Sequence, residues 1–201
     1  MKILTSKLPW VTAATVAVAL GFQLLPNTLA WLCFDQQAIV ADGQWWRLLS
    51  GHLVHSSGSH FFWDSLAFAV FASLAERWNR RALLQALLLA LVLLNMLLLS
   101  PWGLEQYCGL SGLMCAAAVQ ALWAHYQQQP GLIRLLPTLM GIWKLFEEAQ
   151  GSSALIASDS WPLYAPAHWV GIGAGLVVLL IVWRRGMSDG INEQGCHIKT
   201  L

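Results

Sequence analysis

Six apolar stretches, at about 10–31, 60–76, 82–100, 109–125, 131–149 and 165–183, constrain this chain more than anything else in it. Most of them approach the ~20 residues that a helix needs to cross the hydrocarbon of a bilayer. Hydrophobic residues make up 57% of the chain and charged residues 10%, with twelve tryptophans, a balance that a water-soluble domain cannot bury. The stretches predict an all-α membrane protein: one six-helix bundle over residues 1–186 and a short polar tail over 187–201. A cleaved signal peptide is the alternative reading of the first stretch, since Lys2 and Lys7 precede it and "PNTLA" places small residues near its end. Its length suits a retained span better.

Basic residues collect on the cytoplasmic side of a membrane protein. With the N-terminus inside, Lys2, Lys7, Arg77, Arg80, Arg81, Arg134, Arg184, Arg185 and Lys199 all fall at cytoplasmic ends, which is nine of the eleven Lys and Arg. Arg47 lies outside, and Lys144 sits within the fifth stretch. Both termini are therefore expected in the cytoplasm, and the tail of the chain with them. A net charge near +1 and the absence of repeats or basic blocks argue against a nucleic-acid partner.

The longest loop, 32–59, carries Trp45, Trp46, Leu48, Leu49, Leu53 and Val54 among its polar residues. Such a segment is expected to lie in the outer interface, its tryptophans at headgroup level and Arg47 reaching a phosphate or a backbone carbonyl. An ordinary exterior loop with an aromatic anchor fits the composition equally. The loop between the last two stretches, 151–164, is long enough to cap whatever lies beneath it.

Under this topology three even-numbered stretches begin at the outer face, each with a reactive side chain: His60, Ser111 and His168. Polar groups facing hydrocarbon cost several kcal/mol, so they turn toward the bundle interior or toward one another. In "HWVGIGAG", His168, Gly171 and Gly175 share one helix face, and the fourth stretch answers with Gly112 and Ala116. Small faces of this kind let two helices approach closely. Packing alone accounts for the glycines; their coincidence with Ser111 and His168 points to a shared site.

These residues resemble the rhomboid intramembrane serine proteases. The likeness runs through Trp46-Arg47 of the long loop, "HLVHSSGSH" ahead of the second stretch, Gly109-Leu110-Ser111-Gly112, and His168 with Gly171 and Gly175. It implies a rhomboid-like bundle in which Ser111 is the nucleophile and His168 its general base, with no acidic third member, no cofactor and no metal. Peptide cleavage needs an activated nucleophile, a proton acceptor and donors for the oxyanion. Gly109 and Leu110 lead the backbone into a helix start whose amides are unpaired, and His60 matches the histidine that rhomboids place beside the oxyanion. Trp46, Arg47, Gly112, Gly171 and Gly175 are expected to act structurally, as is His55, through a hydrogen bond to the first loop. His52 is expected at the interface.

Four residues after His60, where many rhomboids carry asparagine, this chain has Asp64. Either the acid is protonated and donates like an amide, or it pairs with His60 one helical turn away. Asp64, the compact length and "YCGLSG" look most like the rhombosortase branch, which implies as partners a lipid bilayer and substrates ending in Gly-Gly, a transmembrane helix and a basic tail. The expected place is a bacterial inner membrane, with the site opening to the periplasm. There Cys33 and Cys108, both at outer ends, could form a disulfide. The rival readings are a general rhomboid of other specificity, a non-catalytic relative, a transporter, or a metal protein using His52, His55, His60 and Asp64, although HExxH is absent.

Overall fold

The computed structural model describes residues 8–129, 131–149 and 164–198. Its helices are α1 (Trp10–Leu24), α2 (Thr28–Leu32), α3 (Gln36–Val40), α4 (Arg47–Ser50), α5 (Gly58–Leu98), α6 (Ser111–Gln128), α7 (Leu136–Ala149, after a 3-10 turn at Leu132–Leu135) and α8 (Ala165–Ile198). Two two-residue strands, β1 (Phe34–Asp35) and β2 (Gln106–Tyr107), pair antiparallel and form the sole sheet among the described residues. The class is all-α, as expected.

The six stretches do not map one to one onto helices. By length and hydropathy two described helices are able to cross a membrane, α5 and the Ala165–Arg185 part of α8. The first stretch does not run to residue 31: α1 has 15 residues and stops at Leu24. Pro26 drives Leu25 into an extended conformation, and Asn27 adopts a left-handed one before α2 begins. The second and third stretches are continuous as the 41-residue α5, broken by non-helical backbone at Asn79. Helix α6 is dulled by Gln120, His125, Gln127 and Gln128, and α7 has 14 residues. Helix α8 runs on to Ile198, through the start of the polar tail expected from 187.

Helix α5 would be about 60 Å long if straight, twice the hydrocarbon thickness. The break at Asn79 divides it, and the Asn79 side chain caps the second limb by accepting the Ala82 amide at 3.1 Å. Glu76, just before the break, pairs with Arg80 at 2.9 Å and accepts the amides of Val11 and Thr12 and the Thr12 hydroxyl. A carboxylate thus satisfies the open start of α1, where Pro9 supplies no side-chain cap.

The core mixes small residues, Ala72, Ala75, Ala82, Ala86 and Ala90 of α5 with Ala116, Ala117 and Ala121 of α6 and Ala174 of α8, with the fully buried Phe68, Leu83, Leu94 and Leu98 of α5. Large apolar side chains, among them Val70, Leu74, Leu88, Val92, Leu176 and Leu180, point outward and stay exposed. Alanines at the helix contacts and bulky apolar side chains on the outer surface fit helices packed in lipid, where close backbone approach rather than water drives association.

Candidate active site

The nucleophile loop starts from β2. Tyr107 pairs with Phe34, Cys108 is buried, and Gly109 takes φ +122°, a conformation that L side chains rarely adopt. A Cβ on Gly109 would also stand 2.9 Å from His60 Nε2 and 3.0 Å from Asp64 Oδ2. Glycine is required here twice over. Leu110 then turns into the helical region, and Ser111 is the first residue of α6. Its amide is therefore among those that a helix start leaves without an internal acceptor.

Helix α8 meets this start closely. A Cβ on Gly171 would collide with the Gly112 carbonyl, and one on Gly175 would stand 2.8 Å from Val119 Cβ and 2.9 Å from the Ala116 carbonyl. A Cβ on Gly112 would meet Leu94 at 2.8 Å and the Ala167 carbonyl at 3.3 Å. The faces expected to pack do so, and the buried His168 lies between Ala167 and the Gly171 contact, at the end of α8 that borders Ser111. Farther in, Gln120 of α6 donates to the Gly175 carbonyl at 2.7 Å, a bond the sequence did not suggest.

Asp64 is the hub on the other side. Its Oδ2 accepts the Leu110 amide at 3.0 Å and stands 3.3 Å from His60 Nε2 and 3.5 Å from His55 Nε2. His60 is held from both ends: Ser56 Oγ lies 3.1 Å from its Nδ1, and Ser57 caps α5 by accepting its backbone amide. The His55 ring packs edge-on against His60 and Phe61, at 5.0 and 5.4 Å. The hydrogen bond expected from His55 to the first loop is replaced by this approach to Asp64, too poorly aligned to be a hydrogen bond.

The long loop braces the site from outside. Arg47 is buried and donates to the carbonyls of Cys33 at 2.7 Å and Ala30 at 2.9 Å and to Gln44 Oε1 at 2.7 Å, so it reads backbone rather than phosphate. Trp46 donates to the Trp31 carbonyl while half its surface stays exposed. His52 departs from expectation: it is fully buried, its ring 5.4 Å from that of Tyr107, and burial pushes its pKa down to about 4. Tyr107 itself was not anticipated. Its hydroxyl donates to the Gly109 carbonyl at 3.4 Å, two residues ahead of Ser111, and burial pushes that phenol well above its ordinary range.

Residues 150–163, including most of the expected capping loop, lie outside the described residues, as do the side chains of Lys144, Glu147 and Glu148. Tyr164, at the margin of that loop, donates to the Trp102 carbonyl at 3.0 Å. Among the described residues no three His, Cys, Asp or Glu side chains are arranged to hold a metal ion, so a metal reading of His52, His55, His60 and Asp64 gains no geometric support.

A helical bundle with glycine-interlocked helices, a serine at one helix start and a buried histidine at the adjoining one defines a class of membrane protein with a polar site at one end. The family model of the Rhomboid domain matches residues 42–185, well over half of the chain, and the chain belongs to the rhomboid family. No curated protein matches it.

Proposed function

We propose that this rhomboid-family protein is an intramembrane serine protease in which Ser111 attacks the scissile carbonyl and His168 accepts its proton, then returns it to the leaving amine. The interlock of Gly171 with the Gly112 carbonyl carries this reading, because it draws together the start of α6, which carries Ser111, and the start of α8, which carries His168. The Ser111 amide and His60 are the donors for the oxyanion. Asp64, accepting the Leu110 amide beside two imidazoles, favours the paired carboxylate over the protonated acid.

In the proposed topology the two limbs of α5, each roughly 30 Å long, count as separate spans, and α1, α6, α7 and α8 complete six, with the termini in the cytoplasm. The site then opens to the periplasmic side of a bacterial inner membrane. Substrates are single-pass proteins cut near small residues at the outer end of their helix. Helical carbonyls are shielded by internal bonds, and glycine weakens a helix by about 1 kcal/mol while admitting the nucleophile. The "YCGLSG" context and Asp64 favour rhombosortase-like processing of a Gly-Gly, helix and basic-tail terminus.

The test uses purified protein and such a C-terminally anchored substrate. Wild type releases the exterior domain; Ser111→Ala and His168→Ala each fall by orders of magnitude because the two act as a unit. Full cleavage by folded Ser111→Ala would sink the mechanism. Equal cleavage after Gly-Gly is changed to Leu-Leu would remove the rhombosortase assignment and leave a general rhomboid protease.

A further inference from the structure

Beside the proposed protease site, Cys33 and Cys108 occupy facing positions one step beyond the β1–β2 pair. The register matches Phe34 with Tyr107 and Asp35 with Gln106, so its next step matches Cys33 with Cys108. The Gln36 amide donates to the Glu105 carbonyl at 2.9 Å, which marks Gln36/Glu105, and by alternation Phe34/Tyr107, as hydrogen-bonded pairs. Cys33/Cys108 is then a non-hydrogen-bonded pair, the kind whose Cα atoms stand about 4.5 Å apart with the side chains drawn together. The backbone bonds agree: the Cys33 carbonyl is taken by Arg47, its amide donates to Leu29, and the Gly109 amide donates to Gly51, none of them across the ladder. That spacing falls inside the window of about 4.4–6.8 Å that a disulfide spans. Both residues are buried, and with Val54 they form one small apolar cluster apart from the main core.

We propose that Cys33 and Cys108, thiols in this structure, are the two halves of a cross-strand disulfide that ties the long first loop to the nucleophile loop. The bond requires an oxidising compartment on this side and so rests on the proposed orientation. Its formation is a thiol–disulfide exchange with a protein disulfide oxidant. One cysteine thiolate attacks the oxidant's disulfide, breaking that bond and releasing one oxidant thiol. The other then attacks the mixed disulfide, forming Cys33–Cys108 and releasing the second. Two protons and two electrons leave the pair, and the oxidant is reduced by two electrons.

Burial pushes the Cys108 thiol up to about 12 and raises that of Cys33, so few thiolates exist once the loops have closed. The exchange belongs to assembly, and the finished bond is shielded from reductants. Its position matters to the site. Cys108 adjoins Gly109 and interacts with Ser56, whose hydroxyl holds His60 Nδ1 at 3.1 Å.

The test is acid-quenched alkylation of the full chain in native membranes, followed by denaturation and non-reducing peptide mapping. The expected result is a cross-linked pair of peptides containing Cys33 and Cys108, each becoming alkylable only after reduction. Both peptides alkylated without reduction overturns the bond, as does pairing of either cysteine with a different one. In parallel, the full chain synthesised into liposomes in a buffer of reduced and oxidised glutathione, so that oxidation accompanies assembly, is expected to close the same pair, and failure to close it contradicts the facing register. The readout is thiol mass, not activity, so a bridged chain whose Ser111 proves inert would keep the disulfide and lose the protease.

Discussion

Asp64 Oδ2 and the Leu110 amide are joined by a 3.0 Å hydrogen bond across 46 residues of chain, so the carboxylate of one helix holds the backbone immediately before the nucleophile. His60 and His55 crowd the same oxygen. In the proposed reaction negative charge develops near this loop, and a bare carboxylate would oppose it. Pairing with His60 offsets that charge in the proposed reaction and keeps the imidazole beside the nucleophile loop.

Replacing Asp64→Asn keeps an acceptor for Leu110 but removes the charge that pairs with His60. Cleavage should fall at least about tenfold, corresponding to roughly 1.4 kcal/mol of lost transition-state stabilisation. Asp64→Ala, which also frees the Leu110 amide, should be impaired further. Initial rates at low substrate measure both, and Asp64→Asn at the wild-type rate would show that the acid acts uncharged.

The α6–α8 interlock makes a sharp contrast between two glycines of one helix. Gly171→Ala drives a Cβ into the Gly112 carbonyl, a backbone atom that cannot rotate away, whereas Gly173 has nothing within 4 Å of where its Cβ would stand. Gly171→Ala should cost about 1–3 kcal/mol of stability and most of the activity, while Gly173→Ala should leave both near wild type. Thermal midpoints in detergent and cleavage rates read the two; equal behaviour would mean that the helices do not pack as described.

Glu76 fastens α1 to α5 through Val11, Thr12 and Arg80. Glu76→Ala leaves buried amides unpaired and should cost about 1–3 kcal/mol. Limited proteolysis should then cut more readily near residues 8–12. An unchanged midpoint and digestion pattern would show that α1 is held by packing alone.

His52 gives a pH dependence of stability. Its folded pKa of about 4 lies below the ordinary 6.5 because burial disfavours the charged ring. Between those values the unfolded chain binds a proton that the folded chain refuses, so stability rises with pH across the window. The contribution is complete above about pH 6.5 and is lost as the pH falls toward 4. Unfolding midpoints measured across that range should slope upward, and His52→Gln should flatten the slope; an identical slope in the variant would assign it to other groups.

The candidate residues His60, Ser111 and His168 are legible because they sit at helix starts, where a polar residue ahead of an apolar run stands out. The glycine face of α8 was legible from spacing, and so was its partner on α6. Other features left no such mark. A two-residue strand pair carries no periodicity, so the β1–β2 register could not be read, and neither could the burial of His52 against Tyr107. Long-range bonds of Glu76, Gln120 and Asp64 join residues 46 to 65 positions apart, which local pattern does not encode. The end of α1 was present in Pro26, but the apolar run through "LLPNTLAWL" masked it. Ser57 is a plain N-cap ahead of α5, and its neighbour Ser56 gains meaning only from the fold, by holding His60.

The most direct test of the Ser111–His168 mechanism is the intact mass of the purified protein after incubation with a fluorophosphonate. A single adduct mapped to Ser111 is predicted for wild type, absent in Ser111→Ala and formed orders of magnitude more slowly in His168→Ala, whose serine lacks its base. An unmodified wild type, or an adduct that persists when Ser111 is alanine, would contradict the assignment of Ser111 as an activated nucleophile.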